Sequence, residues 1–451
     1  MKKLLAYIVF VVLIIFSSCR NNTTGQYFPL QKSRGQRYFE PTPFGMAYVK
    51  RGVYNIGADD DELYNHSSNR QVSVEAFWID DTEITNNEYR QFVYWVRDKK
   101  ARELLGEAFP ELFIISEDEH GEPLEKPKIN WDVPIRWNDL EYQEAMEELY
   151  LSEKDRFYFK KEIDTRKLIY EYAWIDYRQA AKPSNSFNYK TKRYEGSVVN
   201  AKGELVPIKN RSSFLMRESV PVYPDTLCWI RDFVYTYNDP YTLKYFSHPA
   251  FDDYPVVGVN WKQAKAFCKW RSGLKRVEIK RFKEAAMHNF RLPTETEWEI
   301  AARGGLQHSK YPWGGYYTRD IKGCFVANFK PLRGNYVADS EISGTTTKVG
   351  TFDPNPYGIY DMAGNVAEWT STAYYEAAYE VVNAINPEIE YNVRVDDPPV
   401  MKRKVVRGGS WKDVAYFIQT STRTFEYQDT TRSYIGFRCV RTSARNELGS
   451  R

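Results

Sequence analysis

Helix signals are few in this chain, and each is clearly marked. Thr85 with Glu88, and Thr294 with Glu297, form two Thr-x-x-Glu sequences. In such a capping box, the threonine hydroxyl and the glutamate carboxylate accept hydrogen bonds from unpaired N–H groups at a helix start. Asn260 can cap a third helix, and apolar residues follow all three sites at helical spacing. Turns and short apolar runs fill the rest, without a βαβ repeat, which predicts a loop-rich α+β fold.

Other segments carry weaker periodic signals. Residues 46–49 and 54–57 are typical of short strands, and residues 72–79 alternate like one strand with a buried face. A run of valines at 256–259 predicts a further strand. Residues 141–163 are predicted to be helical.

The pattern divides the chain into regions. A globular pattern at residues 41–98 stops, resumes at 254 and continues to 442, and a polar tail covers 443–451. In residues 99–253, charged and aromatic residues alternate without a clean period. This middle region is either an elaborate insertion that offers an interaction surface or a second small domain.

The N-terminus has the features of an export signal. Two lysines precede an apolar run at residues 4–16, and a Ser-Ser-Cys sequence ends at Cys19. This predicts a signal peptide over residues 1–18, because a membrane span needs about 20 apolar residues. The ending resembles a bacterial lipobox, which implies a lipid on Cys19 and a tether over residues 19–40. An ordinary signal peptide with a chance cysteine is the alternative.

Composition limits the partner classes. A net charge of +3 gives no indication of nucleic acid or of an acidic surface as a partner. Aromatic residues make up 16% of the chain, with 35 tyrosines and 12 tryptophans. These large rings either fill a loop-rich core or in part face a protein partner.

The cysteines and histidines do not form a zinc pattern. The chain has five cysteines without a Cys-x-x-Cys sequence, and its five histidines are scattered. Cys268, on the apolar face of the helix after Asn260, is predicted to be a small core residue. If the chain is exported, a disulfide among Cys228, Cys268, Cys324 and Cys439 remains open, because sequence alone cannot pair them.

Several short phrases occur in one order along the chain. They lie at residues 81–89, 254–261, 291–299, 311–314, 364–370, 406–411 and 436–439. Together they resemble the formylglycine-generating-enzyme, or sulfatase-modifying-factor, family over about residues 42–98 and 254–442. The resemblance implies a loop-rich α+β fold related to the C-type lectin topology, often with bound calcium.

The resemblance also locates the enzyme's catalytic residues. Enzymes of the family hold copper with two cysteines between the Arg-Gly-Gly-Ser-Trp and Gly-Phe-Arg phrases and use it to oxidise a substrate cysteine. Residues 412–438 of this chain contain no cysteine. Counting from Ser410 places Asp413 and Ile418 near the expected positions, and neither can supply a thiolate for copper(I). We therefore expect no enzyme activity of this kind and no catalytic residues.

Calcium is a separate expectation from the resemblance. The family's calcium positions correspond to Asn328 with Asp339, and to Asn365 with Glu368. Side-chain oxygens and loop carbonyls suit this hard cation. The alternative is that these residues cap turns without a metal, so calcium is the one cofactor the sequence leaves open.

A narrower resemblance covers residues 36–442, including the middle region. Phrases at 39–46, 73–92, 223–233 and 361–370 resemble the gliding-motility and type IX secretion lipoprotein K group (GldK/PorK). This resemblance implies a catalytically silent outer-membrane lipoprotein. It would self-associate into a ring on the periplasmic face, together with partner protein N, for protein secretion and gliding motility. The alternatives are the sister gliding lipoprotein J and a lectin-like lipoprotein that binds a sugar or peptide.

Overall fold

The computed structural model describes residues 40, 42–58, 69–118, 121–233, 239–282, 287–331, 345–391, 393–394 and 396–443. Two residues named from the sequence, Cys19 and Asp339, lie outside these ranges, as do the signal peptide and almost all of the tether and the tail. Residues Glu40–Ala444 form one compact unit. No helix in the described part of the chain combines the length and the apolar character needed to cross a bilayer.

The described strands are β1 (Met46–Val49), β2 (Gly52–Ile56), β3 (Arg70–Val74), β4 (Phe77–Asp80), β5 (Ile114–Glu117), β6 (Pro123–Ile129), β7 (Ile169–Ile175), β8 (Phe187–Asn188), β9 (Arg193–Tyr194), β10 (Ser197–Val199), β11 (Leu205–Pro207), β12 (Leu215–Pro221), β13 (Ala367–Ala373), β14 (Arg403–Arg407), β15 (Thr424–Tyr427), β16 (Ile435–Gly436) and β17 (Val440–Thr442). The described α-helices are α1 (Asn86–Ala108), α2 (Pro110–Phe113), α3 (Leu140–Ala145), α4 (Tyr177–Ala181), α5 (Cys228–Asp232), α6 (Asp239–Lys244), α7 (Trp261–Phe282), α8 (Glu295–Arg303) and α9 (Ala378–Val381). Short 3-10 turns occur at Glu147–Leu149, Glu153–Asp155, Phe157–Phe159, Thr165–Lys167, Pro183–Asn185, Arg211–Phe214, Pro249–Phe251 and Pro399–Lys402.

Strand β4 lies at the centre of a three-stranded sheet in the order β1-β4-β17. Successive side chains of a strand point to opposite faces. Trp78 therefore packs into one apolar cluster with α1 and α7, whereas Phe77 and Ile79 pack into another with α8. Both faces of β4 are buried, which explains why its sequence is apolar without interruption through Ile79.

Both predicted capping boxes are confirmed. The Thr85 side chain accepts a hydrogen bond from the Glu88 backbone at the start of α1. At the start of α8, the Thr294 side chain accepts the corresponding bond from the Glu297 backbone. At the start of α7, the Gln263 N–H donates to the Asn260 side chain at 2.9 Å, and the Asn260 N–H donates to the Gln263 side chain at 2.8 Å. These reciprocal bonds fix the three helix starts, which the sequence located correctly.

A second sheet has four strands in the order β15-β14-β13-β16. Strands β13 and β14 are antiparallel, and Glu368 is paired in register with Arg407. Helix α8 packs between the two sheets through Trp298 and Ile300, which are buried in the cluster that contains Ile79. The loop that follows β14 leads into the region where the sequence placed the lost cysteines.

Residues of the middle region share a hydrophobic core with the rest of the unit. Leu168 and Tyr172, near β7, and Val220 and Val222, near β12, are buried in the same cluster as Phe92 of α1. Hydrogen bonds reinforce this packing, because the Tyr89 hydroxyl donates to the Val222 carbonyl at 2.9 Å. The Gln263 amide donates to the carbonyls of Pro221 and Tyr223, both at 3.0 Å.

Three secondary-structure predictions were wrong. Residues 141–163 form only α3 and a series of 3-10 turns, because contacts with the main core, such as those of Met146 and Leu149, override the helical composition. Residues 72–79 are split at Glu75 into β3, which pairs with β2, and β4, which pairs with β1. The valines at 256–259 form no strand, and the Val256 N–H donates to the Ile84 carbonyl at 2.8 Å.

Candidate functional site

The Arg-Gly-Gly turn after β14 anchors the loop that would carry the catalytic residues. The Arg407 guanidinium is buried and donates to the Glu299 carboxylate at 2.6 Å and to the Thr420 carbonyl at 2.8 Å. Gly409 has φ +64°, and a Cβ there would lie 2.7 Å from the Phe417 carbonyl oxygen. Only glycine tolerates both the left-handed backbone and this close approach.

Asp413 occupies the first expected thiol position, and its carboxylate is fully engaged. The Ser410 hydroxyl donates to one carboxylate oxygen at 2.6 Å. The Lys412 ammonium donates to the other oxygen, also at 2.6 Å. The Lys330 N–H donates to the Asp413 carbonyl at 2.9 Å. Asp413 therefore holds its loop in place through local bonds.

Ile418 occupies the second expected thiol position and is 0% exposed. It belongs to an apolar cluster whose other buried members are Tyr311, Phe325, Ala327, Phe329 and Ala363. A branched alkyl side chain offers no electron pair to a metal, and its neighbours here are mainly apolar. Side chains that cannot make a dithiolate site thus take both expected positions.

The remaining buried cysteines do not replace the missing pair. The Sγ atoms of Cys268, on α7, and Cys439, next to β17, lie 3.3 Å apart. Burial raises the pKa of the Cys439 thiol well above its usual value, with the neighbouring Cys268 adding to the shift. Because the thiolate is the metal-binding and nucleophilic form, this shift in pKa disfavours metal binding by Cys439. Cys268 lies in the core, as its place on the apolar face indicated.

Of the two pairs suggested for calcium, Asn365 and Glu368 make other bonds in the structure. The Glu368 carboxylate accepts bonds from the Arg438 guanidinium at 2.7 to 2.9 Å and from the Trp298 indole N–H at 2.8 Å. With both oxygens engaged by cationic and neutral donors, Glu368 does not fit a calcium ligand. Its partner in the prediction, Asn365, donates instead to Glu83 at 2.6 Å.

Asn328 has one feature that fits an oxygen ligand. Its amide nitrogen donates to the Thr345 carbonyl at 2.8 Å and to the Asn365 side-chain oxygen at 3.3 Å. Its own side-chain oxygen is buried and has no hydrogen-bond partner among the described residues. Its predicted partner Asp339 lies outside those residues, so calcium at this pair stays a prediction. The described residues contain no group of three or more acidic, histidine or cysteine side chains able to hold a metal.

The carboxylates of Glu83, Asp361 and Glu368 form a buried cluster. The sequence did not indicate this cluster. Glu83 accepts bonds from the Asn365 amide at 2.6 Å and from the Val366 N–H at 3.0 Å. Burial raises the pKa of Glu83 well above its usual value, and the charges of Asp361 and Glu368 raise it further. Arg438 opposes this shift. Glu83 and Arg438 both lie within recognised phrases, but no sequence pattern shows that they meet.

Asp361 makes this cluster sensitive to pH. Its pKa is raised from 3.8 to about 6, chiefly by burial. Between these values the folded chain binds the proton more tightly than the unfolded chain, so the contribution of Asp361 to stability falls as the pH rises. Asp361 has φ +56°, which asparagine tolerates, so Asp361→Asn preserves the backbone.

We expect Asp361→Asn to remove this pH dependence. The wild type should lose ~2–3 kcal/mol of unfolding free energy relative to the variant between about pH 4 and about pH 6. Urea unfolding at several pH values measures the difference, and Asp353→Asn, at an exposed position, controls for the loss of one charge. Superimposable pH profiles for the wild type and Asp361→Asn would contradict this assignment.

Together, the two sheets, the glycine-rich turns and the buried Arg–Glu pairs define a loop-rich α+β domain of the formylglycine-generating type. The chain belongs to the family described as the sulfatase-modifying factor enzyme 1-like domain, whose model matches residues 35–149 and 235–443. The internal gap in this match, residues 150–234, lies within the middle region, whereas residues 99–149 and 235–253 of that region are matched.

Similar proteins include both active and inactive types by name. The formylglycine-generating enzyme of Bos taurus is 34% identical over 194 residues, which cover 42% of this chain and 44% of the relative. The inactive C-alpha-formylglycine-generating enzyme 2 of Bos taurus is 32% identical over 194 residues, covering 42% and 50%. The chain thus spans about half the length of these curated relatives. Among solved structures, PvdO from Pseudomonas aeruginosa aligns over 88% of this chain and 94% of its own, at 15% identity and a TM-score of 0.42.

Proposed function

We propose that this chain is a catalytically inactive structural lipoprotein of the type IX secretion machinery. It is anchored through Cys19 to the periplasmic face of the outer membrane and forms a ring there with partner protein N. The observation that supports the inactive part is Ile418, which is buried in an apolar cluster and lies where counting from Ser410 places the family's second thiol. The narrower role rests on the resemblance to the lipoprotein K group.

The loss of catalysis is compatible with an intact fold. Hydrogen bonds from Arg407 to the Thr420 carbonyl and from the Ser410 hydroxyl to Asp413 hold the loop after β14. One similar protein is itself named an inactive formylglycine-generating enzyme. An inactive member of the fold therefore has a parallel among the proteins similar to this chain.

The surface of the middle region supports a partner-binding role. Phe157 and Tyr158 are 73% and 89% exposed, and Tyr177 and Tyr189 are 72% and 84% exposed. Large aromatic side chains supply much of the binding energy at protein interfaces, since they bury wide areas at low entropy cost. A scaffold that contacts neighbours in a ring needs such surfaces on more than one side.

Copper binding tests the inactive part of the proposal. We expect no stoichiometric copper(I) binding in competition with a chromogenic chelator, and no oxygen-dependent conversion of a cysteine peptide to an aldehyde. An active member of the family, measured in parallel, provides the positive control. The Cys268→Ser/Cys439→Ser variant reports any copper held adventitiously by that pair. Aldehyde formation by the wild type would refute the proposal.

The composition of the native particle tests the structural part. A tagged chain extracted from outer membranes with a mild detergent should elute as a very large particle that contains protein N. Cys19→Ser should release the chain from the membrane fraction and abolish assembly, because the lipid is its only proposed anchor. A free monomer without a fixed partner would argue against the scaffold role. Membrane pelleting and normal secretion by Cys19→Ser would argue against the anchor.

A further inference from the structure

The middle region contains two segments of opposite charge. Residues 103–153 contain 15 acidic and 3 basic residues, whereas residues 182–217 contain 8 basic and 2 acidic residues. The net charge of +3 for the whole chain hides this division. Segments that differ so strongly in charge favour partners that carry the complementary pattern.

The acidic segment presents its charges on a surface that the main core holds in place. The ring centre of Tyr142, on α3, lies 5.4 Å from that of Phe109 and 5.6 Å from that of Phe113, so α2 and α3 pack together. We call their outer surface the acidic face and define it by its exposed side chains. These are Glu107, Glu111, Glu141 and Glu144, with the apolar Leu112 and Leu140.

The basic segment presents a second surface on a small apolar cluster of its own. The ring centre of Tyr194 lies 5.2 Å from that of Phe187 and 6.1 Å from that of Phe214. These contacts join the β8–β9 hairpin to the turn at Arg211–Phe214. We call the outer surface the basic face and define it by its exposed side chains. These are Lys190, Lys192, Arg193 and Arg211, with the aromatic Tyr189.

The two faces do not neutralise each other within one chain. Among the described residues, the side chains of the four acids and the four cations that define them make no hydrogen bond or ion pair. Exposed charges of opposite sign do pair elsewhere in the middle region, as Lys161 does with Glu147 at 2.8 Å. Each face therefore keeps its charge available for a counterpart outside the chain.

We propose that the acidic face of one copy of this chain binds the basic face of the next copy. Such head-to-tail contacts close into a ring when the rotation between neighbours permits closure. Leu140 and Tyr189, which are 75% and 84% exposed, add large side chains that can be buried in the contact. The inference rests on the proposed scaffold role, because it names the surfaces through which the copies join.

Reversing the charges of the acidic face should prevent the purified full chain from associating with itself. The variant is Glu107→Lys/Glu111→Lys/Glu144→Lys. We expect its self-association at low salt to weaken about a hundredfold or more, because attractions between the copies become repulsions. Sedimentation velocity in detergent measures the change. The self-association of the wild type should itself weaken as salt rises.

A second variant reverses the basic face and allows a test of rescue. Lys190→Glu/Arg193→Glu/Arg211→Glu should also fail to associate alone, because both of its faces are then acidic. An equal mixture of the two variants should associate again, because a copy with two basic faces then meets a copy with two acidic faces. A surface that binds protein N or anionic lipid headgroups predicts no such rescue, so the mixture separates those occupants from a second copy.

A control with the same change in charge is Asp353→Lys/Glu376→Lys/Glu380→Lys, at exposed positions outside both faces. It should associate like the wild type, and unchanged thermal unfolding shows that each variant is folded. A wild type that stays monomeric at low salt, a face variant that associates like the control, or a mixture without rescue would each overturn the proposal.

The native particle distinguishes a failure of the faces from a failure of the scaffold role. A large particle with protein N that keeps its size when the acidic face is reversed would overturn the faces and leave the scaffold role in place. A free monomer in outer-membrane extracts, combined with rescue by the mixed variants, would support the faces and refute the scaffold role.

Discussion

Replacing Arg438 with methionine should lower the free energy of unfolding by ~3–5 kcal/mol, because it leaves a buried carboxylate without its counter-charge. The side chains of Arg438 and Glu368 are 0% and 1% exposed, and their charged atoms lie 2.7 Å apart. Arg438 also donates to the carbonyls of Asp80 and Tyr360, at 3.0 and 2.9 Å. Through these bonds, Arg438 links strand β4 and the turn before β13 to strand β13.

Two variants separate the buried charge from the lost packing. Glu368→Gln/Arg438→Met should recover part of the loss, because the carboxylate that Arg438 contacts directly is then neutral. Arg51→Met removes an exposed arginine whose partner Glu75 is 4.0 Å away, and it should change stability by about 0.5 kcal/mol or less. Urea unfolding followed by circular dichroism measures all three. A single variant as stable as the Arg51 control would show that Arg438 is not structurally required.

Oxidation of Cys268 and Cys439 to a disulfide should raise the free energy of unfolding. A thiol pair 3.3 Å apart is close enough to form a disulfide with little backbone movement, if the chain matures in an oxidising compartment as its signal sequence predicts. The two residues are 171 positions apart. Closing so long a loop restricts the unfolded chain and should add up to ~5 kcal/mol of stability, which a reductant would remove.

Differential alkylation checks the pairing. In unfolded protein prepared from the periplasm, Cys268 and Cys439 should resist alkylation until dithiothreitol is added. Cys228 is equally buried in the fold and serves as the internal control, since it should react on unfolding alone. Alkylation of all three cysteines without reductant would contradict the disulfide. In that case reductant should also leave the melting temperature unchanged.

The helix starts were predictable because their determinants are local. Thr85 with Glu88, and Thr294 with Glu297, are three residues apart, and the capping geometry needs nothing else. Residues 141–163 were mispredicted because helical composition there is overridden by tertiary contacts, such as the packing of Leu149 in the main core. Residues 72–79 were predicted to be one strand. The break at Glu75 could not be predicted, because it depends on β3 pairing with β2 and β4 pairing with β1.

The same division between local and distant determinants applies to the site. Asp413 and Ile418 were assigned to the thiol positions by counting from Ser410 within one short loop, and this assignment stays a prediction. Glu83 and Asn365 are 282 residues apart, so no periodicity or spacing could show that they bond. Only the fold brings these partners together.

The middle region has a small apolar cluster of its own, but at its junction with the family domain it shares the main core. Leu168 and Val220 pack in the cluster that also holds α1 and α7, and Tyr89 and Gln263 bond to its backbone. We therefore expect force applied to the middle region at β7 or β12 to reach the interior of the domain through the buried contacts of Leu168 and Val220.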